Sequence, residues 1–242
     1  MTGSATSAPG GGTEARMRPL RHSYTNHTLG DGVTVVKRYQ GLGARARWRR
    51  ERAVLAALQG RLPVPAVLSA RDQSLTMAFL PGVHGQELLD AGRGRDVLRA
   101  CGAMLARIQR IDPSEIAAAL PGAAGQRRVL VHGDYGPNNV LLDPATADIT
   151  GVLDWEWAHA GDPAEDLAWC EWIVRMHHPG QVSLLAQFFG AYGGEIPPWR
   201  ARQAVMTGRC RSLLDFCHRQ DPGGPGEAQW ARRLAVTEAW RA

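Results

Sequence analysis

Apolar and polar positions alternate early in this chain and fall at helical spacing later. Residues 21–29 and 33–39 read as two strands around a turn at Gly30-Asp31-Gly32. In the second, Val33, Val35, Lys37 and Tyr39 share one face. Residues 43–59 then carry Trp48, Leu55 and Leu58 as the apolar stripe of a helix that Gly60 closes. Two further short strands are expected at 66–70 and 74–79, around a turn at Arg71–Gln73, before Pro81-Gly82 breaks the pattern.

Beyond that break helices dominate. They are expected at 86–91 and at 95–111, where Leu98, Cys101, Leu105 and Ile108 line one side, then at 163–178, 181–193, 198–219 and 227–241. Between them, 129–142 reads as strand, polar loop and strand, and Ile149 to Leu153 as one more strand. The order predicts an α+β, bilobal protein. A small β-rich N-terminal lobe takes 17–80 and a mostly helical C-terminal lobe takes 81–242. Residues 1–16, rich in Gly, Ser, Thr and Ala, read as a disordered tail.

Composition narrows the class. The 242 residues are 44% apolar and 21% charged, enough for a sizeable core. No apolar run reaches the length of a membrane span, and the N-terminus shows no apolar signal core. A cytoplasmic protein without membrane contact, monomeric or homodimeric, is expected. Cys101, Cys170, Cys210 and Cys217 show no CxxC pairing and read as reduced, buried thiols. His177-His178 lacks partners at metal spacing. The net charge of +5 is concentrated in part between Lys37 and Arg52, which hold seven basic residues and one acid. That run could contact nucleic acid; a solvated helix face is the preferred reading, and no nucleic-acid partner is expected.

Several charged residues stand where the pattern calls for apolar ones. Lys37 shares its face with valines, and Glu51 sits in the stripe between Trp48 and Leu55. A buried Lys and a buried Glu each need a partner, so the pair is expected to meet, with Lys37 also facing an anionic ligand. Snorkelling at a sheet edge is the alternative. In the loop of VHGDYGPNNVLLD, Asp134 can accept a proton from a hydroxyl, and the Asn139 amide oxygen can ligate a hard cation such as Mg²⁺. Turn chemistry alone also favours Asn and Asp, and Asn138 suits that role. Asp154 ends the strand Ile149 to Leu153 and suits a second metal ligand. Transferring a phosphoryl group means holding a polyanion, neutralising it with Lys and metal, and aiming a hydroxyl in line.

HGDYGPNNVLL and GVLDWEWAHAGDPAEDLAW resemble the catalytic loop and the metal-binding segment of the aminoglycoside phosphotransferase/choline kinase family, small-molecule kinases with a protein-kinase-like fold. The resemblance covers residues 20–176. It implies that Asp134 is catalytic and that Asn139 and Asp154 hold Mg²⁺. It further implies that Lys37, paired with Glu51, contacts the α/β-phosphates of ATP or GTP. SYTNHT resembles the turn that covers the nucleotide, with Ser23, Thr25 and Asn26 as candidates. LTMAFLPG resembles the hinge, where backbone groups of Ala78, Phe79 and Leu80 would read the base. His132 is expected to brace the loop, Asp162 to cap a helix, and Asp166 to tie that helix to the loop. The helices after residue 170 match no pattern, so the acceptor is open.

The expected activity is ATP- and Mg²⁺-dependent phosphorylation of a hydroxyl on a small polar molecule. An aminoglycoside-like antibiotic, with a role in resistance, is one acceptor; a choline, ethanolamine or sugar metabolite is another. A cationic acceptor would want carboxylates, and Glu156, Glu165, Glu171 and Asp215 are the candidates. Trp155, Trp157, Trp169 and Trp172 could box a quaternary ammonium, although the helical spacing of Trp169 and Trp172 suits a core. A catalytically silent nucleotide- or partner-binding module is the reading from another class.

Overall fold

In a computed structural model, residues 17–20, 26–120 and 128–242 are described. The expected tail and two of the nucleotide-turn candidates, Ser23 and Thr25, lie outside the described residues.

The first part of the chain is a five-stranded antiparallel sheet. β1 (Arg18–Pro19), β2 (His27–Gly30) and β3 (Thr34–Arg38) are followed by helix α1 (Ala44–Leu58), then β4 (Val67–Arg71) and β5 (Ser74–Ala78). The strand order is β1-β2-β3-β5-β4. Register places Val35 opposite Met77 and Lys37 opposite Leu75. Lys37 therefore points from the central strand into the same interior as Leu75. One position departs from the alternation: Val33 precedes β3 and is 71% exposed, so the buried face begins at Val35 and runs through Lys37 to Tyr39. α1 packs on that sheet through Val54, Leu55 and Leu58, and the same face buries Glu51.

The second part opens with β6 (Val83–His84), α2 (Gly85–Asp90) and α3 (Gly94–Ile108). β7 (Val129–Val131) and β8 (Val140–Leu142) bracket a loop with a short 3-10 turn at Pro137–Asn139. β9 (Ile149–Val152) and β10 (His159–Gly161) complete two small sheets, β6-β8-β9 and β10-β7. The helices α4 (Ala164–His177), α5 (Leu185–Tyr192), α6 (Trp199–Gln220) and α7 (Pro225–Ala239) follow. The helical expectations reappear within a few residues. β1, β6 and β10 were not expected, because two- and three-residue strands hold no period to read.

One apolar cluster runs from Leu55 and Leu75 through α3 to Trp155 and Phe188. A second gathers Trp169, Trp172, Met206 and Cys210, with Trp230 and Leu234 against it. α3 and α5 approach closely because α3 has Gly102 at the crossing, where any Cβ would strike the Phe188 carbonyl. Among the described residues no helix is long and apolar enough to cross a membrane.

Candidate active site

A cleft of about 420 Å³ lies between the sheet and the β7–β9 region, and Lys37, Leu80, Asp134, Asn139 and Asp154 all line it. Its upper wall is an ion cluster. Lys37 Nζ lies 2.6 Å from Glu51 Oε2, 2.5 Å from Asp154 Oδ1 and 3.7 Å from Glu156 Oε2. Tyr39 donates its hydroxyl to the same Glu51 oxygen at 2.5 Å, and the Trp155 N–H donates to Glu51 Oε1 at 3.2 Å. Burial alone would strip the Lys37 proton, but Asp154, Glu51 and Glu156 outweigh it and hold its pKa above the ordinary value. At Glu51 burial prevails over Lys37 and raises the carboxyl; at Asp154 the balance reverses, and Lys37 holds it below the usual range.

The lower wall is the loop between β7 and β8. Asn139 Nδ2 donates to the Asp134 carbonyl at 2.8 Å and to its Oδ2 at 2.9 Å. Trp169 Nε1 donates to Asp134 Oδ1 at 2.7 Å. Burial, then the Asp154 charge, pushes the Asp134 carboxyl up to about 6 against those bonds. The backbone is pinned from beneath by Asp166 on α4, which accepts from His132 N at 2.6 Å and Gly133 N at 2.9 Å. Asp162 accepts from Ala164 N at the start of α4, and Glu165 returns the contact to Asp162 N, both at 2.8 Å. His132 accepts from Asp134 N through Nδ1, so its Nε2 carries the proton donated to the Leu153 carbonyl at 2.8 Å. Burial keeps that ring neutral, down to about 4. Gly133 sits at φ 85, and a Cβ there would press on the Trp157 carbonyl.

Asp154 is placed by Leu153 N, which donates to Asn139 O at 2.8 Å and joins the strand end to the loop. Asp154 itself adopts φ 67, ψ 56, a left-handed conformation that a non-glycine residue holds only at a cost. Three oxygens of Glu51, Asp154 and Glu156 lie within 4.8 Å of one another, the one such acidic group among the described residues. Glu51 and Glu156 are spent on Lys37 and Arg47. The Asp154 side chain is 28% exposed and lines the cleft, as does Asn139, whose Nδ2 faces Asp134. A carboxylate oxygen and an amide oxygen lining the same cleft are hard donors that fit Mg²⁺.

Ala78, Phe79 and Leu80 line the far end of the cleft. The Ala78 and Phe79 N–H groups are already bonded, to Ala66 O and Val33 O, each at 2.9 Å. Leu80 N–H has no acceptor among the described residues, so it is the donor of the three that is left for a ligand. Asn26 also lines the cleft, but its Nδ2 donates to Glu156 Oε2 at 2.9 Å.

The acids expected to meet an acceptor are not brought together. Glu156 is fully buried in the Lys37 cluster and accepts from Arg47 Nη1 at 2.9 Å. Glu165 accepts from His159 Nε2 at 2.8 Å. Glu171 is fully buried between Arg175 Nε at 2.9 Å and Arg202 Nε at 2.6 Å, on the far side of α4 from Asp134. Asp215 is exposed on α6. Trp155, Trp169 and Trp172 are core, and Trp169 stacks on Trp172 at 4.3 Å. Only Trp157 stays half-buried. Three residues were missed by sequence reasoning: Arg47, Trp169 as a donor to Asp134, and Arg209, whose Nη2 donates to Gly133 O at 2.9 Å. Arg47 is legible in retrospect, because it sits one turn before Glu51 on the buried face. The other two contacts depend on how α4 and α6 dock.

The phosphotransferase enzyme family is matched by its sequence model over residues 17–123 and 113–205. Among curated proteins, viomycin phosphotransferase of Streptomyces vinaceus is 46% identical over 55 residues, 21% of this chain and 18% of that protein. Acyl-CoA dehydrogenase family member 10 of Mus musculus is 46% identical over 44 residues, 18% of this chain and only 4% of that much longer protein. The matched stretch thus spans a small part of either relative. Among solved structures, the gentamicin complex of APH(2")-IIa superposes with a TM-score of 0.66 at 15% identity, over 91% of each chain. The macrolide 2'-phosphotransferase MphH apoenzyme from Brachybacterium faecium superposes with a TM-score of 0.64 at 18% identity, over 93% of each. At such identities these neighbours establish the fold, the bilobal protein-kinase-like arrangement. Because the family match takes in both walls of the cleft, from Lys37 to Asp154, this chain belongs to the phosphotransferase enzyme family.

Proposed function

We propose that this protein transfers the γ-phosphoryl group of ATP, or GTP, to a hydroxyl of a small polar molecule. The observation that carries the reading is one cleft with the Lys37–Glu51–Asp154 cluster on one wall and Asp134–Asn139 on the other. Lys37, kept cationic by its carboxylates, offers its charge to the phosphates, and Glu51 holds it in place. Leu80 N–H is the donor available to the base. Asn139 and Asp154 are the residues that would hold Mg²⁺, which when bound offsets the charge of the transferring group. Asp134 stands on the acceptor side. Its Oδ1 and Oδ2 are fixed by Trp169 and Asn139, so the carboxylate is aimed before the hydroxyl arrives and can accept its proton as the oxygen attacks.

Support also comes from what similar proteins bind. Solved neighbours carry GDP with kanamycin and ATP with streptomycin. The test is Asp134→Asn. Nucleotide binding should persist, while acceptor-dependent ADP release and the mass gain of the acceptor fall by roughly 10²–10⁴. Unchanged transfer in that variant overturns the role of Asp134. A protein that binds nucleotide and transfers nothing to any hydroxyl would support a silent module instead.

A further inference from the structure

Beside Asp134, outside the cleft lining, lies a patch of guanidinium and aromatic groups. Trp157 is its centre. Its ring lies 5.6 Å from the Arg209 guanidinium and 5.7 Å from that of Arg47, and its edge meets Phe216 at 5.8 Å. Arg209 and Phe216 stand two turns apart on α6, so they share one face of it. Arg209 also lies 5.8 Å from the Trp169 ring, whose Nε1 bonds Asp134.

These cations differ in what neutralises them. Arg47 is spent on Glu156. Arg50, half-buried, donates only to the Glu156 backbone carbonyl, at 3.1 Å. Arg209, half-buried, donates to Gly133 O, and its Nε is buried without any partner. Neither Arg50 nor Arg209 forms a direct salt bridge among the described residues; Glu156 acts on Arg50, and Asp134 and Glu165 act on Arg209, through charge alone. A half-buried guanidinium whose Nε is left without a hydrogen bond gains from an anion that can meet that N–H.

The acids that could reverse this charge are committed elsewhere. Glu156 faces Arg47 and Lys37, Glu165 faces His159, and Glu171 faces Arg175 and Arg202. Asp215 precedes Phe216 by one position, which turns it about 100° from the face that meets Trp157. A polycationic acceptor would therefore meet Arg50 and Arg209 beside the reacting carboxylate, with Glu156, Glu165 and Glu171 already paired.

We propose that the acceptor carries an anionic group, a carboxylate or a phosphate, close to the hydroxyl that is phosphorylated, and that Arg209, seated on Trp157, receives it. The planar fork suits either anion. Seating the anion there brings the neighbouring hydroxyl to Asp134, since Arg209 and Asp134 are both tied to the Gly133–Trp169 corner. The proposal rests on the phosphotransferase reading above.

The experiment compares acceptor probes of one sugar size, glucosamine as cation, glucose as neutral, gluconate as carboxylate and glucose 6-phosphate as phosphate, with kanamycin as a larger polycation beside them. With Mg-ATP and wild-type protein, gluconate, glucose 6-phosphate or both should give more ADP release than glucose, and the cations less. The two anions separate the carboxylate from the phosphate source. Arg209→Met should erase the ranking by at least roughly tenfold in kcat/KM, and Arg209→Lys should restore part of it. Because Arg209 also touches the loop, the ratio between charge classes is the readout, not absolute rate. Arg50→Met, away from that loop, should flatten the ranking in part.

Turnover of kanamycin above the anions, or equal use of every class, overturns the proposal, as does a ranking unchanged by Arg209→Met. Calorimetric titration of gluconate and glucose 6-phosphate into the protein, with and without Arg209→Met, tests anion binding even where no phosphate is transferred. Anion binding lost in that variant, without transfer, would count against the phosphotransferase reading and leave the anion site standing. Absence of anion binding in the wild type would sink the anion site itself.

Discussion

Asp166 offers the clearest contest between two physical effects. It is wholly buried, makes no salt bridge among the described residues, and accepts the His132 and Gly133 N–H groups, with His159 acting on it only through charge. Those bonds favour the charged carboxylate; burial opposes it. Burial wins, and the carboxyl moves from 3.8 up to about 6. A group raised in this way contributes stability fully below its unfolded value, and the contribution is lost as pH rises through the folded one. Between those ends the carboxyl carries about 3 kcal/mol. An amide, like the protonated acid, keeps one acceptor and one donor there but does not titrate. Wild type minus Asp166→Asn should therefore favour the wild type by about 2 kcal/mol more near pH 4 than near pH 8, most of the full difference, since pH 4 lies just above the unfolded value. In a chain of this size that difference moves the melting temperature by roughly 4–8 °C. Urea unfolding of both proteins from pH 4 to pH 8 measures it, and titrating groups that do not interact with Asp166 cancel in the difference. Parallel curves would refute the reasoning. A difference of opposite sign would mean that the two backbone bonds outweigh burial. Transfer activity should drop in the variant at every pH, because one of the two N–H groups loses its acceptor and the loop carrying Asp134 loosens.

Three further outcomes follow from the same geometry. Lys37→Met leaves Glu51, Asp154 and Glu156 crowded without their shared cation, and should cost about 3–5 kcal/mol in chemical unfolding. The loss should be smaller near pH 5 than near pH 8, since Glu51 and Glu156, already raised by burial, then take up protons. Gly133→Ala should lower kcat by roughly tenfold or more with nucleotide affinity kept, because relieving the contact with the Trp157 carbonyl displaces Asp134; unchanged kcat would show the loop tolerates the shift. Glu171→Gln should destabilise by about 2 kcal/mol, less than a fully buried pair, because Arg175 and Arg202 keep some contact with water. The acceptor KM in that variant should stay at the wild-type value, which kinetics with any turned-over acceptor can check.

Much of the fold was legible because its elements are long enough to carry a period. α1, α3, α4 and α6 each hold at least three turns, and burial of one stripe sets each of them. Lys37 and Glu51 stood out for the same reason: a charge in an apolar stripe breaks the pattern, and the structure answers the two breaks with one ion pair. The loop residues Asp134 and Asn139 were legible through their spacing between two apolar runs. Val33 misled because strand alternation does not say where the sheet ends, and it lies just before the first paired residue.

The acceptor side was not legible, and the reason is geometric. Glu171 and Arg209 look alike in sequence, each a charged residue on a long helix. Which one turns inward, and toward what, depends on the angle at which α4 and α6 cross over the Trp169–Trp172–Trp230 stack. The same docking swings Trp169 Nε1 onto Asp134, a contact across 35 positions of sequence. By itself, then, the sequence determined the elements, the buried ion pair and the loop of Asp134 and Asn139, because each is written in local period or spacing. Only tertiary packing decided that Arg209 lies against Trp157 and the Gly133 carbonyl beside Asp134, because that placement depends on how α6 docks against the loop.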